Sequence, residues 1–509
     1  MTDGLTDKDR AGIRAALEAC PKVRRAVLFG SRALGTFRGA SDVDLALEGD
    51  DLRLTDLVAI KAMVAKGSIP VEVDLVIRAK IDNPDVENHI QDFGREWYRK
   101  GWHEMTLGDF VTIQRGHDLT EPERRPGRVP VMGSAGQNGF HDTALVKGPG
   151  IVIGRSGASF GQVHFSKEDF WPHNTGLYVT DFKGNDPLFA FYFLKALDFD
   201  RFNSGSAQPS LNRNFIYPIP IRVPKPTEQK AIAAVLGALD DKIELNRRMN
   251  ATLEAMARAL FQSWFVDFDP VRAKLDLPAR GAQAGGLPPA ALDPATAALF
   301  PEHLEDSPLG HIPKGWEVKT VGDIGDVICG KTPPTSVSDY YGEDIPFITI
   351  PDMHGNVFGA AIARKLSHAG ANSQANKTLP PGSLCVSCIA TPGLVVITSE
   401  DSQTNQQINS VVPQQKEETY FWYWVLTGLG AEIASSGSGG SVLVNLSKGR
   451  FKTLQVIIPP HALIRAYHTA VRPLFEAILA NTHQSRTLAT LRDTLLPKLL
   501  SGEIQPKLQ

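Results

Sequence analysis

The stretch LGALDDKIELNRRMNATLEAMARALFQSW, residues 236–264, has a near twin in VRPLFEAILANTHQSRTLATLRDTLLPKL, residues 471–499. In the first, Leu236, Leu239, Ile243, Asn246, Asn250, Leu253, Ala257, Leu260 and Trp264 follow a 3-4 spacing. In the second, Val471, Leu474, Ile478, Asn481, Ser485, Leu488, Arg492, Leu495 and Leu499 repeat it 235 residues on. Residues three and four apart share one face of an α-helix, so each stretch predicts a helix with a single seam. A seam held over about four heptads argues for helix–helix pairing. Both seams are apolar at the ends and polar in the middle, which two unrelated amphipathic helices would not share at one register. The pattern predicts an antiparallel pair with Asn250 near Ser485 at the crossing, and Pro473 predicts a kink early in the second helix.

Working outward, each helix closes a β-rich block, so the chain repeats itself. The blocks open alike, Leu107-Gly-Asp-Phe110 against Val321-Gly-Asp-Ile324, and end alike, Arg222-Val-Pro-Lys225 against Ile457-Ile-Pro-Pro460. We expect a first block over 102–225, a helix over 226–268, a linker over 269–315, a second block over 316–458 and a helix over 459–504. The linker is expected because 277–301 is rich in Pro, Ala and Gly. A helix from Thr227 to Phe265 at ~1.5 Å per residue spans on the order of 60 Å. That exceeds one turn of DNA, about 34 Å. Two similar but unequal modules on such a ruler suit a target with two different half-sites.

Composition limits the alternatives. Among 509 residues, 53 Lys and Arg against 56 Asp and Glu leave a net charge of -3, which excludes a globally basic histone-like chain but not a local nucleic-acid patch. With 42% apolar and 21% charged residues, an ordinary globular chain is expected rather than a disordered one. Four cysteines, Cys20, Cys329, Cys385 and Cys388, are too few for a disulfide scaffold and point to a reducing, cytoplasmic setting. No run approaches the ~18 to 20 apolar residues of a membrane helix, so no membrane association is expected. Gly325 to Thr332 fits a phosphate-loop pattern, but Pro333 and Pro334 follow where a helix should open, so the match reads as chance. Cys385 and Cys388 read as two buried strand cysteines.

Residues 1–101 read as a small α/β unit, with strands over 25–29, 42–47 and 71–77 and a helix over 54–66. Asp42 and Asp44, two apart on a strand, point to one face and can share one or two Mg²⁺ ions. Asp74 on a neighbouring strand can add a third carboxylate, and Gly30-Ser31 lets the backbone approach a triphosphate. Phe29-Gly-Ser-Arg-Ala-Leu-Gly35, Ser41-Asp-Val-Asp-Leu45 and Val73-Asp-Leu75 together resemble the nucleotidyltransferase superfamily in its minimal form. That resemblance implies Mg²⁺ and a nucleoside triphosphate as cofactor and substrate, with Asp42, Asp44 and Asp74 as catalytic and metal-binding residues and Gly30 and Ser31 as nucleotide-binding ones.

From 102 to 504 the chain resembles the specificity subunits of type I restriction–modification systems. The resemblance lies in Arg258-Ala-Leu-Phe-Gln-Ser-Trp-Phe-Val-Asp-Phe-Asp-Pro270, Leu309-Gly-His-Ile-Pro-Lys-Gly-Trp-Glu-Val318 and Leu491-Arg-Asp-Thr-Leu-Leu-Pro-Lys-Leu-Leu-Ser-Gly-Glu-Ile504. Ser204-Gly-Ser-Ala-Gln-Pro-Ser-Leu-Asn212 and its counterpart over 436–445 add to it. The two resemblances together imply an α+β multidomain fold: a small α/β nucleotidyltransferase-like domain, then two β-rich target recognition domains. Each of these is followed by a long helix, and the helices pair as an antiparallel coiled coil. The specificity-subunit resemblance also implies double-stranded DNA, methyltransferase subunits and restriction subunits as partners, with no chemistry in the specificity part itself. Base-reading candidates are Gln208, Asn212 and Arg213 in the first block, then Asn174, Thr175, Arg155 and Ser156. In the second block they are Asn445, Lys448 and Arg450. Polar loops between short strands can offer amide and guanidinium donors to the major groove.

Overall fold

The computed structural model describes residues 3–67, 69–204, 209–277, 292–360, 362–389, 391–436 and 446–506. The chain divides into two compact units, 1–237 with 495–509, and 238–494.

The first unit opens with α1 (Asp7–Glu18), β1 (Val23–Phe29), α2 (Gly30–Leu34), β2 (Val43–Gly49), α3 (Leu54–Lys66), β3 (Val73–Ile77), α4 (Pro84–Phe93) and β4 (Arg95–Arg99). Thr6 starts α1 through a capping box with Asp9, which satisfies amides the first turn leaves unpaired. The sheet order is β3-β2-β1-β4, with β2 parallel to β3 and β1 antiparallel to β2. Alternation along β2 divides its side chains between two covered faces. Val43, Leu45 and Leu47 are fully buried in a core with Ile13, Leu17 and Ile60. Ala46 points the other way and packs with Val27 and with Ile90 of α4.

The strand β5 (Trp102–Thr106) begins the first β-rich module. Then come α5 (Leu107–Phe110), β6 (Thr112–Arg115), β7 (Val129–Gly133), β8 (Gly136–His141), β9 (Gly150–Gly154), β10 (Val163–Ser166), β11 (Trp171–Pro172) and β12 (Gly176–Asp181). The module finishes with α6 (Pro187–Ala196), α7 (Arg213–Ile216) and β13 (Pro220–Pro224), and α8 (Pro226–Phe261) follows at once. β13 pairs antiparallel with β5, joining the two ends of the module from Trp102↔Pro224 to Thr106↔Pro220. Phe110, Phe189 and Phe193 form its aromatic core, which also takes Ile232, Ala233 and Leu236 of α8 and Leu499.

The second unit rebuilds that base. Glu317–Thr320 pairs antiparallel with Gln455–Ile458. Thr320 caps Val321–Ile324 with Asp323 as Thr106 caps α5 with Asp109. The aromatic helix Thr419–Gly428 buries Phe421, Trp422 and Trp424. The span 269–315, expected as a linker, instead carries two short helices, Asp269–Lys274 and Pro294–Ala298, and a hairpin of Leu304–Ser307 with Gly310–Pro313. It places Val271, Phe300 and Ile312 in the core. Its residues 278–291 lie outside the described ones. Gly325–Cys329 is a strand paired with Ile408–Pro413, so the phosphate-loop pattern opens no helix. Cys385 and Cys388 are free and buried, and burial pushes their thiols up to about 12 and about 11.

Inside the second unit α8 runs antiparallel to the C-terminal helix His461–Leu500. Asp240 pairs with Arg492 at 2.6 Å, and the Tyr467 hydroxyl donates to the Ala257 carbonyl at 3.0 Å. The polar middle is a hydrogen-bonded ladder. Asn246 Nδ2 donates to Gln484 Oε1 (2.9 Å) and Ser485 Oγ (3.2 Å), and Asn481 Nδ2 donates to Asn250 Oδ1 (2.9 Å). Ser485 therefore meets Asn246 rather than Asn250, one helical turn from the expected register. The helix carrying Pro473 is continuous from His461 to Leu500. At the far end α8 passes into one wider turn, Gln262–Val266, which buries Trp264 and Phe265 against Tyr467 and Trp316.

Candidate functional site

The N-terminal acids meet through register. Asp44 and Asp74 are Cα partners across the parallel β2–β3 pair, so their side chains leave the sheet on one face. That is the face of Ala46 and α4. Both are half-buried, while Asp42 lies one residue ahead of β2 and is exposed. Burial, then the charges of Asp74 and of Asp42, hold the Asp44 carboxyl above its usual range, with Arg32 and His89 pulling it back. Gly30 closes one side of the cluster: its φ is +69°, and a Cβ there would lie 2.3 Å from Asp44 Oδ2. Only glycine fits, for backbone angle and for space alike. Ser31 is half-buried one residue further.

Three residues that the sequence pattern did not single out shape this site. Arg32 is 1% exposed, and its guanidinium donates to the carbonyls of Ser41 (2.6 Å), Asp42 (3.1 Å) and Asp3 (2.6 Å), fixing the loop that presents Asp42. His89 of α4 accepts a hydrogen bond from the Gly30 amide at 3.2 Å. Lys61 of α3 lies 2.8 Å from Asp74 Oδ1. Among the described residues no group of three or more His, Cys, Asp or Glu is placed to hold a metal ion, and Asp74 is paired with Lys61 instead. In donor type and in excess negative charge the acids nonetheless fit a hard divalent cation.

In the first module, the end of β6 with the residues after it, Arg155 just past β9 and the segment before α7 line an open cleft of about 830 Å³. Arg155, Asn212 and Arg213 line it, together with Gln114, Arg115, His117 and Asp118, which sequence reasoning had not proposed. Arg213 is exposed and anchors Nη1 on the Ile113 carbonyl at 3.1 Å. Asn212 caps α7 by accepting from the Asn214 amide at 3.0 Å. Ser156 is bridged to Ser210 by backbone pairing. Asn174 donates to Asp118 at the rim. Thr175 is committed inward: its hydroxyl bonds His173 Nδ1 (3.0 Å) and takes the Ser134 amide (3.2 Å). Gln208 lies outside the described residues. In the second module Lys448 and Arg450 are exposed on the helix Lys448–Lys452, which Ser447 caps as Asn212 caps α7. Asn445 lies outside the described residues.

Two β-rich modules on one base design, each passing straight into a long helix, with the helices paired antiparallel, define a duplicated architecture. The type I restriction modification DNA specificity domain matches residues 99–255 and 313–462, and the chain belongs to that family. Residues 12–100 match the polymerase beta nucleotidyltransferase family. The chain is 40% identical over 327 residues to the type I restriction enzyme HindI specificity subunit of Haemophilus influenzae, covering 58% of this chain and 71% of that one. It is 27% identical over 375 residues to the MjaIX specificity subunit of Methanocaldococcus jannaschii, covering 70% and 78%. A type I system S subunit from M. genitalium aligns in three dimensions at 16% identity and a TM-score of 0.49, over 78% of this chain and 96% of that one. Among the described residues no helix is long and apolar enough to cross a membrane.

Proposed function

We propose that this chain reads a split, asymmetric double-stranded DNA target, one half per module, and docks methyltransferase subunits along its paired helices, with restriction subunits added to that assembly. The observation that carries this is the shared base under unlike loops. Thr106–Asp109 with β5–β13 and Thr320–Asp323 with its strand pair are equivalent. What each module presents beyond them differs: Asn212-Arg213 at one cap, Ser447-Lys448 at the other. Cationic and amide groups around an open cleft suit phosphate anchoring together with base-edge readout. Replacing 102–225 by the same block of a related subunit is expected to change one half of the methylated sequence, read by methylome sequencing. A change in both halves, or in neither, rejects the modular reading.

A second activity is favoured by the register of Asp44 with Asp74 and by the glycine cradle beside them. In this reading residues 1–101 are a metal-dependent nucleotidyltransferase acting on a protein or RNA acceptor. Asp42 and Asp44, with Asp74 beside them, would hold Mg²⁺, which when bound supplies charge neutralisation for the triphosphate. Gly30 and Ser31 let the backbone approach the phosphates. Arg32 keeps the Asp42 loop in place. The acceptor hydroxyl would then attack the α-phosphorus, forming the new P–O bond as the α–β phosphoanhydride bond breaks; pyrophosphate leaves and the hydroxyl proton passes to water. The double variant Asp42→Asn with Asp44→Asn is expected to keep site-specific methylation with partner subunits and to lose transfer of labelled nucleotide. Loss of methylation in a folded double variant would show that the two activities are coupled.

A further inference from the structure

We propose that Lys61 is a built-in placeholder for the metal ion: its ammonium occupies the Asp74 carboxylate, so the site takes its cation together with the triphosphate rather than ahead of it. This rests on the nucleotidyltransferase reading of residues 1–101.

The argument begins with what surrounds the acids. Asp44 feels Asp74 and Asp42 as like charges, and two other groups offset them, Arg32 and His89. Neither is free to leave. Arg32 is 1% exposed and spent on three backbone carbonyls. His89 accepts the Gly30 amide. Lys61 differs in each respect. It pairs directly with a carboxylate, at 2.8 Å, and the two side chains are 44% and 48% exposed. Its charge sits on a flexible four-carbon stem and is compact and well hydrated, so it can leave without tearing a buried network.

An ion pair this open is weak. It is enough to hold Asp74 in an empty site and can still be displaced. A divalent cation brings twice the charge, but alone it must expel Lys61 to gain Asp74. Arriving with a triphosphate, it brings further oxygen ligands of its own, and the exchange becomes favourable. The competing reading is a simple tie between α3 and β3, which predicts no effect on metal affinity.

The test uses the full chain with Mn²⁺ as the probe, read by loss of the free-ion paramagnetic resonance signal. The wild type is expected to bind Mn²⁺ weakly alone and more tightly with an α,β-methylene triphosphate analogue. Lys61→Met is expected to bind Mn²⁺ alone on the order of tenfold more tightly, since one positive charge has left the cluster. Lys61→Arg should return to weak binding. Lys61→Gln serves as a second neutral variant if the Met variant does not fold. The proposal is overturned if the neutral variants bind Mn²⁺ alone no better than wild type while Asp44→Asn still abolishes binding with the analogue. If none of these proteins binds Mn²⁺ under either condition, the nucleotidyltransferase reading itself falls, and the placeholder with it.

Discussion

Asp44 carries the sharpest electrostatic signature among the acids of its site, because burial and two like charges act on it together. A carboxyl whose folded pKa is raised above its unfolded value favours folding while protonated. That contribution is fully present below the unfolded value, about 3.9, and is lost as pH rises through the raised one. At pH 7 the ionised Asp44 therefore opposes folding. Asp44→Asn is expected to be more stable than wild type at pH 7, by up to about 1 kcal/mol for a group this exposed. The gap should close as the pH falls towards about 4, and melting curves at several pH values would show it. A gap that stays constant with pH rejects the assignment. The strand positions of Asp44 and Asp74 are legible in sequence because a strand repeats every two residues, whereas Asp42 lies one residue ahead of β2, in the loop that Arg32 holds. Arg32, Lys61 and His89 are not legible there. Lys61 and His89 reach the acids only because α3 and α4 pack over the sheet, and nothing in their local sequence encodes that meeting.

The helices show the same division between pattern and register. A 3-4 seam states which face is buried, and two matching seams state that they pair. It does not state the slide, since a regular seam shifted by one turn still buries apolar residues against apolar residues. The slide is chosen by polar partners, and Asn246 finds Gln484 and Ser485. Cysteines at 246 and 485 are thus expected to crosslink under mild oxidation, whereas a pair at 250 and 485 should crosslink far less. The opposite yield would restore the register expected from the seam alone. The segment 258–270 was legible as a family feature but not as packing. Its Trp264 and Phe265 serve as aromatic anchors beside Tyr467 and Trp316, and its Asp269 accepts the Ser263 hydroxyl at 2.9 Å. Likewise the Pro/Ala/Gly-rich run hid Phe300, and the linker expected around it hid Val271 and Ile312, since average composition does not show where single apolar residues land.

At the scale of the whole first unit, the N-terminal domain is not a loose appendage. Glu96 of β4 accepts from Arg25 (2.7 Å), from Arg222 of β13 (3.1 Å) and from Arg99. Arg99 is 7% exposed and donates onward to the Gly502 carbonyl. Gly502 has a φ of +71°, and a Cβ there would lie 2.8 Å from Arg99 Cδ and Nε. Gly502→Ala is expected to cost about 1 to 2 kcal/mol through backbone strain and that clash. Gly428→Ala, where an added Cβ meets open space, should be close to neutral. Urea unfolding of both variants decides it, and equal midpoints would sink the idea that this tail is a rivet.

The core that gathers Ile232, Ala233 and Leu236 with Leu499 has a consequence for how the protein is made. A ribosome delivers residues 1–237 first and 495–504 only after all of 238–494. The second unit is one unbroken run of chain and can fold as it emerges. In the first, Ile232, Ala233 and Leu236 lack a core partner until Leu499 arrives. A part of the polypeptide synthesised before the second unit is thus completed after it. A message cut short before residue 495 would leave an uncovered hydrophobic face for chaperones and proteases to find.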